Sequence, residues 1–246
     1  MSSPSIPSVS SVPRPGAIYG DGTYLANNPA WHEADSPWKA RQLARMIRAH
    51  ALDVRTIAEV GCGAGEVLRQ LAGLLGETVT CTGFETSGQA FQRCRDKAAA
   101  NLTYLQEDFL TRAPAEVFDL LLVVDVVEHV EDFLGFLRAL RSRGVWKLLH
   151  IPLDLSVQAA LRPRSFRILR ERYGHLHYFT RQTALAALAQ CGYEIIDHVY
   201  TRTALELEPT SRRQRLMRLP RRALFALNPD LAARLLGGFS LLVLAR

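Results

Sequence analysis

The chain has 246 residues, of which 48% are hydrophobic and 22% charged, and its formal net charge is +6. This composition is ordinary for a globular protein with a core to bury, so it excludes a chain of the disordered class. The four cysteines show no CxxC spacing and stand inside apolar patterns, which is typical of small core residues in a reducing compartment.

The first residues, MSSPSIPSVSSVPRPG, contain no basic head and no continuous apolar stretch. We therefore expect neither a signal peptide nor a membrane anchor, and a cytoplasmic location. Their serine and proline content predicts a disordered lead over residues 1–18. Residues 19–246 are expected to form one domain.

The stretch TIAEVGCGAGEVL, residues 56–68, predicts a buried strand, a glycine turn and the start of a helix. Glycines let main-chain N–H groups approach a ligand closely, and the first turn of a helix carries a partial positive charge. The turn therefore suits a nucleotide-like cofactor or its carboxylate end. Gly65 follows Gly63 by two residues, whereas the dinucleotide fingerprint has a spacing of three.

The string EVGCGAG resembles the first motif of class I S-adenosylmethionine-dependent methyltransferases. In that family the acidic residue and the glycine turn hold the amino acid end of the cofactor. The resemblance implies cofactor contacts from Glu59, Gly61, Cys62, Gly63 and Gly65.

Residues 19–52 precede this strand and are rich in aromatic and turn-forming residues; Ser36 and Pro37 predict the start of a helix that runs to about His50. In the resembled family a helix at this place packs over the cofactor cleft. The resemblance therefore implies a cap in which Tyr24, Trp31, His32 and Lys39 close over the ligand. The alternative is that the aromatic residues anchor the segment to the sheet.

Two further strands are predicted over Val79–Phe84 and Leu102–Leu105. Glu85 ends the first of them about twenty residues past the glycines, where a carboxylate accepts hydrogen bonds from ribose hydroxyls, with Thr86 beside it. NAD-binding folds share this geometry, and a solvated turn carboxylate is the alternative. After the second strand, the resemblance implies that Asp108 binds the adenine amino group and Phe109 covers the ring.

The segment FDLLLVVDVV, Phe118–Val127, predicts a central parallel strand buried on both faces. A charge in such a strand is costly unless it opens to a site, so Asp125, with Val126, is assigned to the cofactor cleft. The string DVVEHV resembles the fourth motif of small-molecule methyltransferases, including those of quinone biosynthesis. His129 is a candidate general base, and its alternative role is to support the backbone or cofactor.

A fifth strand is predicted over Val145–Leu153, and the segment 154–179 after it is too long for a minimal connection. We expect this insertion to overhang the carboxyl edge of the sheet, where ligands bind. Asp154, Tyr173, His175 and His177 are expected to line an acceptor pocket, with Asp154 and His177 as catalytic candidates and packing as the alternative. We predict no metal, because no third ligand is evident beside the two histidines.

The last two predicted strands, Tyr193–Thr201 and Phe239–Ala245, are expected to pair as an antiparallel hairpin. The insertion between them, residues 202–237, contains eight arginines against three carboxylates, with leucines interleaved. This pattern predicts a basic amphipathic helix pair that meets an anionic membrane, an acidic or phosphorylated substrate or a second subunit, the alternative being a solvated face. No reading motif for nucleic acid accompanies the charge.

Together these patterns predict an α/β, Rossmann-like sheet of seven mostly parallel strands, with helices on both faces and an antiparallel last strand. The resemblance implies S-adenosylmethionine as cofactor and methyl transfer to a small-molecule acceptor. O-methylation is favoured, since no NPPY-type tetrapeptide follows the fourth strand. The alternatives are an NAD-dependent oxidoreductase and a non-catalytic partner subunit, with a homodimer left open.

Overall fold

A computed structural model describes residues 17–112, 116–209 and 211–246 of the chain. Residues 1–16 of the predicted disordered lead lie outside the described residues, and Ala17–Tyr19 forms a short 3-10 turn. Within the described ranges, no helix has both the length and the apolar character needed to cross a bilayer.

Seven strands form one sheet in the order β3-β2-β1-β4-β5-β7-β6. The strands are β1 Thr56–Val60, β2 Thr80–Phe84, β3 Leu102–Leu105, β4 Phe118–Val124, β5 Gly144–Pro152, β6 Ile195–Thr201 and β7 Ser240–Ala245. The first five pair in parallel, whereas β7 is antiparallel to both β5 and β6. The predicted fold class, including the antiparallel last strand, is confirmed.

The central strand β4 explains why the sheet is buried on both faces. Side chains alternate across a strand, so Leu120 and Leu122 pack into one apolar cluster and Leu121 and Val123 into the other. All four are at most 1% exposed. Helices must therefore cover both faces.

The helices that do so, and those of the insertions, follow in chain order. They are α1 Thr23–Asn27, α2 Ser36–Ala49, α3 Glu66–Leu75, α4 Gly88–Cys94, α5 Phe133–Leu140, α6 Val157–Ala160, α7 Ser165–Ile168, α8 Arg181–Gln190, α9 Thr203–Glu206, α10 Arg212–Leu227 and α11 Pro229–Leu236. Short 3-10 turns span Glu33–Asp35, Arg95–Lys97, Phe109–Thr111 and Val127–His129, and Leu169–Tyr173 is a π-helical turn. The basic insertion thus contains α9, α10 and α11.

Two helices begin at residues whose side chains cap them. The Ser87 hydroxyl accepts from the N–H of Ala90 at the start of α4, and Thr180 caps α8. Strand β4 is shorter than predicted, since it ends at Val124. The reason is Asp125, whose φ of 53° takes the chain out of the strand and into the turn Val127–His129.

Candidate functional site

The glycine turn between β1 and α3 combines two structural roles. Gly61, Gly63 and Gly65 all have positive φ, of 68°, 56° and 74°. A Cβ on Gly65 would lie 2.5 Å from Cys94 and 2.6 Å from the Tyr104 ring, so this position is dictated by packing. A Cβ on Gly63 would meet no atom within 4 Å, which leaves open space above the turn.

Glu59, next to last in β1, lies under this turn on a cavity of about 300 Å³ that Gly61 and Cys62 also line. The residue is 2% exposed, and its Oε2 finds no hydrogen-bond partner among the described residues. Burial raises the pKa of Glu59 to about 8; Lys39 opposes the shift and Glu85 adds to it. A buried carboxylate oxygen without a partner suits a cationic ligand group such as an ammonium.

Glu85 follows β2 and faces an adjoining cavity of about 470 Å³, together with Thr86 and Val126. Its Oε2 accepts from the Gly63 N–H at 2.8 Å and its Oε1 from the Ser87 N–H at 2.7 Å. Burial raises the pKa of Glu85, and these N–H groups offset part of the shift. The carboxylate is thereby held at the cavity, and each oxygen keeps a further lone pair for a ligand.

The two cavities are parts of one cleft along the carboxyl ends of β1, β2 and β4. Five residues line both of them: Tyr24, Trp31, Gly61, Asp125 and His129. The rings of Tyr24 and Trp31 pack edge to face with centroids 4.8 Å apart. These aromatic residues therefore lie over the cleft, while His32 and Lys39 line its 300 Å³ part.

Asp125 belongs to a network of charged and polar side chains at the centre of the cleft. Its Oδ2 lies 2.7 Å from Lys39 Nζ, and its Oδ1 lies 2.6 Å from Nδ1 of His150 on β5. His150 Nε2 in turn lies 2.9 Å from the Thr201 hydroxyl. Although burial raises the pKa of Asp125, Lys39 and His150 outweigh it and hold the pKa far below its usual range. Asp125 therefore stays ionised.

The 3-10 turn after β4 carries a second buried carboxylate, Glu128, on the same cavity. Glu128 is 1% exposed, and neither carboxylate oxygen has a hydrogen-bond partner among the described residues. Burial and then Asp125 raise its pKa well above the ordinary value. Its carbonyl accepts from the N–H groups of Leu176 at 2.7 Å and His177 at 3.1 Å, which joins the segment 154–179 to the cleft.

His175 reaches the cleft from that segment, and its Nδ1 lies 2.6 Å from Asp154 Oδ2. An ionised carboxylate only accepts hydrogen bonds, so Nδ1 carries the proton and Nε2 keeps a free lone pair. The His175 and His129 rings are 4.8 Å apart, and His129 Nδ1 lies 2.8 Å from the Tyr19 hydroxyl. Burial, with His175, lowers the pKa of His129 to about 4, so His129 is neutral at pH 7.

A comparison with known protein families interprets this arrangement. A family model described as a methyltransferase domain matches residues 30–198. The chain belongs to this methyltransferase family. No curated protein sequence matches the chain.

Three solved structures share the fold of this methyltransferase domain. The N-methyltransferase NodS from Bradyrhizobium japonicum WM9, in complex with S-adenosyl-l-homocysteine, is 18% identical, with a TM-score of 0.56 and coverage of 92% of this chain and 98% of NodS. Magnesium protoporphyrin IX methyltransferase from Synechocystis PCC 6803, with bound SAH, is 16% identical, with a TM-score of 0.57 and coverage of 93% and 90%. The [4+2]-cyclase SpnF is 15% identical, with a TM-score of 0.56 and coverage of 84% and 80%.

Some predicted site residues lie elsewhere in the methyltransferase fold. Phe109 is 1% exposed and packs on Phe84 in the core, with ring centroids 4.9 Å apart, so its ring is not placed to cover an adenine. Asp108 is exposed, and its carboxylate caps the turn Phe109–Thr111 by accepting from the Leu110 N–H at 2.9 Å. Neither residue lines the cleft. Phe109 therefore does not offer its ring to an adenine, and the adenine contact of Asp108 stays a prediction.

His177 and Asp154 also differ from their predicted catalytic roles. His177 Nε2 lies 2.9 Å from the Val130 carbonyl and its ring packs on Phe133, outside the residues that line the cleft. Residues two apart in an extended segment lie on the same face, so the sequence predicts that both rings point the same way, whereas only His175 lines the cleft. The Asp154 carboxylate contacts His175, so Asp154 would act on a ligand in the cleft only through the His175 ring.

The residues of the methyltransferase cleft that sequence reasoning missed include Tyr19, Glu128 and His150. His150 lies in a mostly apolar strand, and the signal that could have found it is a polar residue near the carboxyl end of β5, paired with Val124 next to Asp125. Glu128 directly precedes His129, which the sequence indicated as a candidate general base. Ligand atoms of Glu128, His129 and His175 lie within 4.8 Å of one another, a grouping that could hold a metal ion and that the spacing of the histidines did not reveal.

Proposed function

We propose that the protein transfers a methyl group from S-adenosylmethionine to a hydroxyl oxygen of a small-molecule acceptor. The observation that carries the cofactor assignment is Glu59, a 2%-exposed carboxylate with an unpartnered oxygen at the foot of the glycine turn. S-adenosylmethionine brings an ammonium group that would satisfy this oxygen. Membership of the methyltransferase family supports the same assignment.

The residues of the cleft fit the amino acid end and the ribose of the cofactor. Glu59 would hold the ammonium group, the N–H groups in the first turn of α3, directly after the glycine turn, would hold the carboxylate, and Glu85 would accept from the ribose hydroxyls. When bound, the cofactor supplies a methyl group that its sulfonium already activates. Tyr24 and Trp31, which line both parts of the cleft, would exclude water from it.

His175 is the side chain best arranged to accept the proton of an acceptor hydroxyl. The Asp154 carboxylate fixes the ring with Nδ1 protonated, so Nε2 is free to act as a general base. This pair favours an oxygen acceptor, because a hydroxyl must lose its proton as the new bond forms. His129, whose pKa is lowered to about 4, is a weaker base and would position the acceptor beside His175.

A second mechanism is favoured by one specific feature, the Glu128 carboxylate with two unpartnered oxygens. Glu128, His129 and His175 offer one oxygen and two ring nitrogens, a set that non-haem divalent cations accept. A cation held there would polarise the acceptor hydroxyl. Dialysis against EDTA separates the two mechanisms: the general-base mechanism expects unchanged methyl transfer, and the cation mechanism expects a loss that added Mg²⁺, Mn²⁺ or Zn²⁺ restores.

Two alternative functions compete with methyl transfer. A non-catalytic partner subunit would bind S-adenosylmethionine weakly or not at all, and the likeness to the cyclase SpnF illustrates that this fold hosts other reactions. The similarity to quinone-biosynthesis enzymes stays a prediction. An NAD-dependent oxidoreductase is disfavoured by the antiparallel β7 between β5 and β6, which dinucleotide-binding sheets do not normally have.

Calorimetric titration with S-adenosylmethionine and S-adenosylhomocysteine tests the cofactor assignment. We expect both to bind, and Gly63→Arg to abolish binding by filling the open space above the turn. Gly73→Arg is the matched control, because Gly73 is exposed on α3 and also has no neighbour within 4 Å of a Cβ. Circular dichroism verifies that both variants fold. Failure of the parent protein to bind either molecule, or equal binding by both variants, would refute the proposal.

A panel of catechols and methyl glycosides supplied with methyl-labelled S-adenosylmethionine then tests the acceptor class. We expect label in an ether that survives mild alkali, which distinguishes it from a methyl ester. Label found in an amine product instead would overturn the oxygen assignment and leave the cofactor assignment in place.

A further inference from the structure

A cavity of about 460 Å³ lies beside the cleft, between the segment 154–179 and the pair α10 and α11. It opens onto the cleft, since four residues line both spaces: Pro152, Leu169, Thr203 and Ser240. An acceptor that enters the cleft from this side would place its remote part here. Its wall contains two arginines, Arg162 and Arg221.

Arg221, on α10, is held in place unusually firmly for an arginine and is 7% exposed. Its Nε donates to the Gly237 carbonyl at 2.9 Å, and its Nη2 donates to Leu236 and Gln158 at 3.2 and 3.3 Å. Its remaining nitrogen, Nη1, is buried and has no partner among the described residues. A guanidinium fixed on two sides thus keeps one donor nitrogen for something else.

Arg162 lies between α6 and α7 and is half-buried, and its Nε is likewise without a hydrogen-bond partner in the described part of the chain. Burial and then Arg213 lower the pKa of Arg162; burial, Arg162 and Arg213 lower the pKa of Arg221. Within the described ranges, no carboxylate forms an ion pair with Arg162, Arg213 or Arg221. Asp154, which also lines the cavity, is hydrogen-bonded to His175.

Positive charge gathered in a partly dry space is costly unless an anion neutralises it. A phosphate group carries about two negative charges and three acceptor oxygens, and guanidinium groups match that geometry. We propose that the cavity binds a phosphate-like group carried by the methyl acceptor, with Arg162 and Arg221 as its ligands. The proposal rests on the proposed function for the role of the acceptor, and the anion site itself is measured separately.

The same chemistry has two sources, a soluble phosphorylated molecule and a lipid headgroup. The exposed surface of α10 bears on this choice, because Leu216, Leu219 and Leu227 are 75%, 73% and 84% exposed. Exposed leucines beside arginines are typical of a helix that rests on an anionic membrane. The experiment therefore needs an arm for each source.

The first arm measures binding of inorganic phosphate and glycerol 3-phosphate to the full-length protein by calorimetry, at constant ionic strength. We expect saturable binding that Arg162→Gln weakens by about tenfold or more, the usual effect of losing a charge-assisted hydrogen bond. Arg162 is the residue to change, since its side chain makes no described hydrogen bond whose loss would unfold the protein. Arg221→Lys is the second variant. It keeps the positive charge but loses the planar guanidinium group and its several N–H donors.

Arg222→Gln is the matched control, because it removes the same charge from an exposed position next to Arg221 on α10. We expect its phosphate affinity to equal that of the parent protein, and the S-adenosylhomocysteine affinity of Arg162→Gln and Arg222→Gln to be unchanged. Absent phosphate binding, or equal weakening by Arg162→Gln and Arg222→Gln, overturns the anion site. Absent S-adenosylhomocysteine binding overturns the proposed function instead.

The second arm measures co-sedimentation with vesicles of phosphatidylcholine, with and without phosphatidylglycerol. If binding requires phosphatidylglycerol and Arg162→Gln weakens it, the phosphate group is borne by a lipid. If glycerol 3-phosphate binds and vesicles do not, the acceptor is a soluble phosphorylated molecule. Vesicle binding that Arg222→Gln reduces and Arg162→Gln does not, together with no binding of free phosphate, assigns the charge to the helix surface and overturns the cavity site.

Discussion

The two halves of the cleft are built in different ways. The half that would hold the cofactor consists of the glycine turn and of Glu59, Glu85 and Asp125, which lie in or directly after β1, β2 and β4. The half that would hold the acceptor is drawn from a 3-10 turn, the irregular segment 154–179 and the helices of the last insertion. One half depends on main-chain geometry and the other on side chains brought together from distant segments.

The largest effect is expected from the main chain of the cofactor half. Gly65→Ala would impose both a positive φ and a clash with Cys94 and Tyr104, so we expect a loss of about 3 kcal/mol or more in the free energy of unfolding. Gly63→Ala has the same positive φ and no clash, so its loss should be about 1 kcal/mol. Urea denaturation measures both. Equal losses would contradict the division of roles within the turn.

An effect of similar size, but confined to turnover, is expected in the acceptor half. His175→Gln should lower kcat by about 10²–10⁴-fold, the usual contribution of a general base, and leave the S-adenosylhomocysteine affinity unchanged. Asp154→Asn should lower kcat less, because the imidazole remains but its orientation is no longer fixed. The measurement is methyl transfer to the best acceptor of the panel.

His177→Gln is the matched control for His175→Gln. The glutamine amide can replace the hydrogen bond from His177 Nε2 to the Val130 carbonyl, so kcat should stay near that of the parent protein. A large loss of kcat in this control, with the S-adenosylhomocysteine affinity retained, would return the catalytic role to the residue favoured by sequence.

The two halves also differ in how far the sequence predicted them. Glu59, Glu85 and Asp125 were found because each occupies a fixed place relative to a strand end, and strand ends follow from apolar runs and glycines. Asp108 occupies such a place too, yet its carboxylate caps a local turn, since short acidic side chains compete for nearby N–H groups. The position of a residue relative to a strand end predicts where the residue lies, but it does not determine which hydrogen-bond partner its side chain takes.

In the acceptor half, proximity depends on tertiary packing with no local pattern. His175 meets Asp154 across 21 positions, and the carbonyl of Glu128 joins the segment 154–179 to β4 through two N–H groups. Arg162 and Arg221 are separated by most of the last third of the chain. Sequence could predict that this insertion overhangs the sheet edge, but not which of its polar residues would turn inward.

The protonation state of Glu59, in the cofactor half, is expected to have an intermediate effect on the affinity for S-adenosylhomocysteine. Its pKa of about 8 means that the carboxyl group is largely protonated at pH 6, and binding an ammonium group requires the carboxylate. Binding therefore releases a proton, so the affinity for S-adenosylhomocysteine should rise with pH between 6 and 7.5, by at most about tenfold per unit.

Glu59→Gln tests this interpretation by calorimetry at pH 6 and pH 7.5. The amide cannot ionise, so we expect weaker binding at pH 7.5, by about tenfold, and a nearly flat dependence on pH. A rise with pH that persists in the variant would assign the proton to a different group and would weaken the case for Glu59 as the ammonium ligand.

The smallest effect on the free energy of unfolding is expected from the removal of a helix cap, which can be compared between the two halves. Ser87 caps α4 and also donates to the Tyr19 carbonyl at 2.9 Å, whereas Thr180 caps α8, away from the glycine turn. Ser87→Ala and Thr180→Ala should each lower the free energy of unfolding by about 1 kcal/mol. Only Ser87→Ala should also weaken S-adenosylhomocysteine binding, because it frees the segment that carries Tyr19 and Tyr24 over the cleft. Equal binding by the two variants would mean that the other contacts of this segment, including the hydrogen bond from Tyr19 to His129, are enough to hold it.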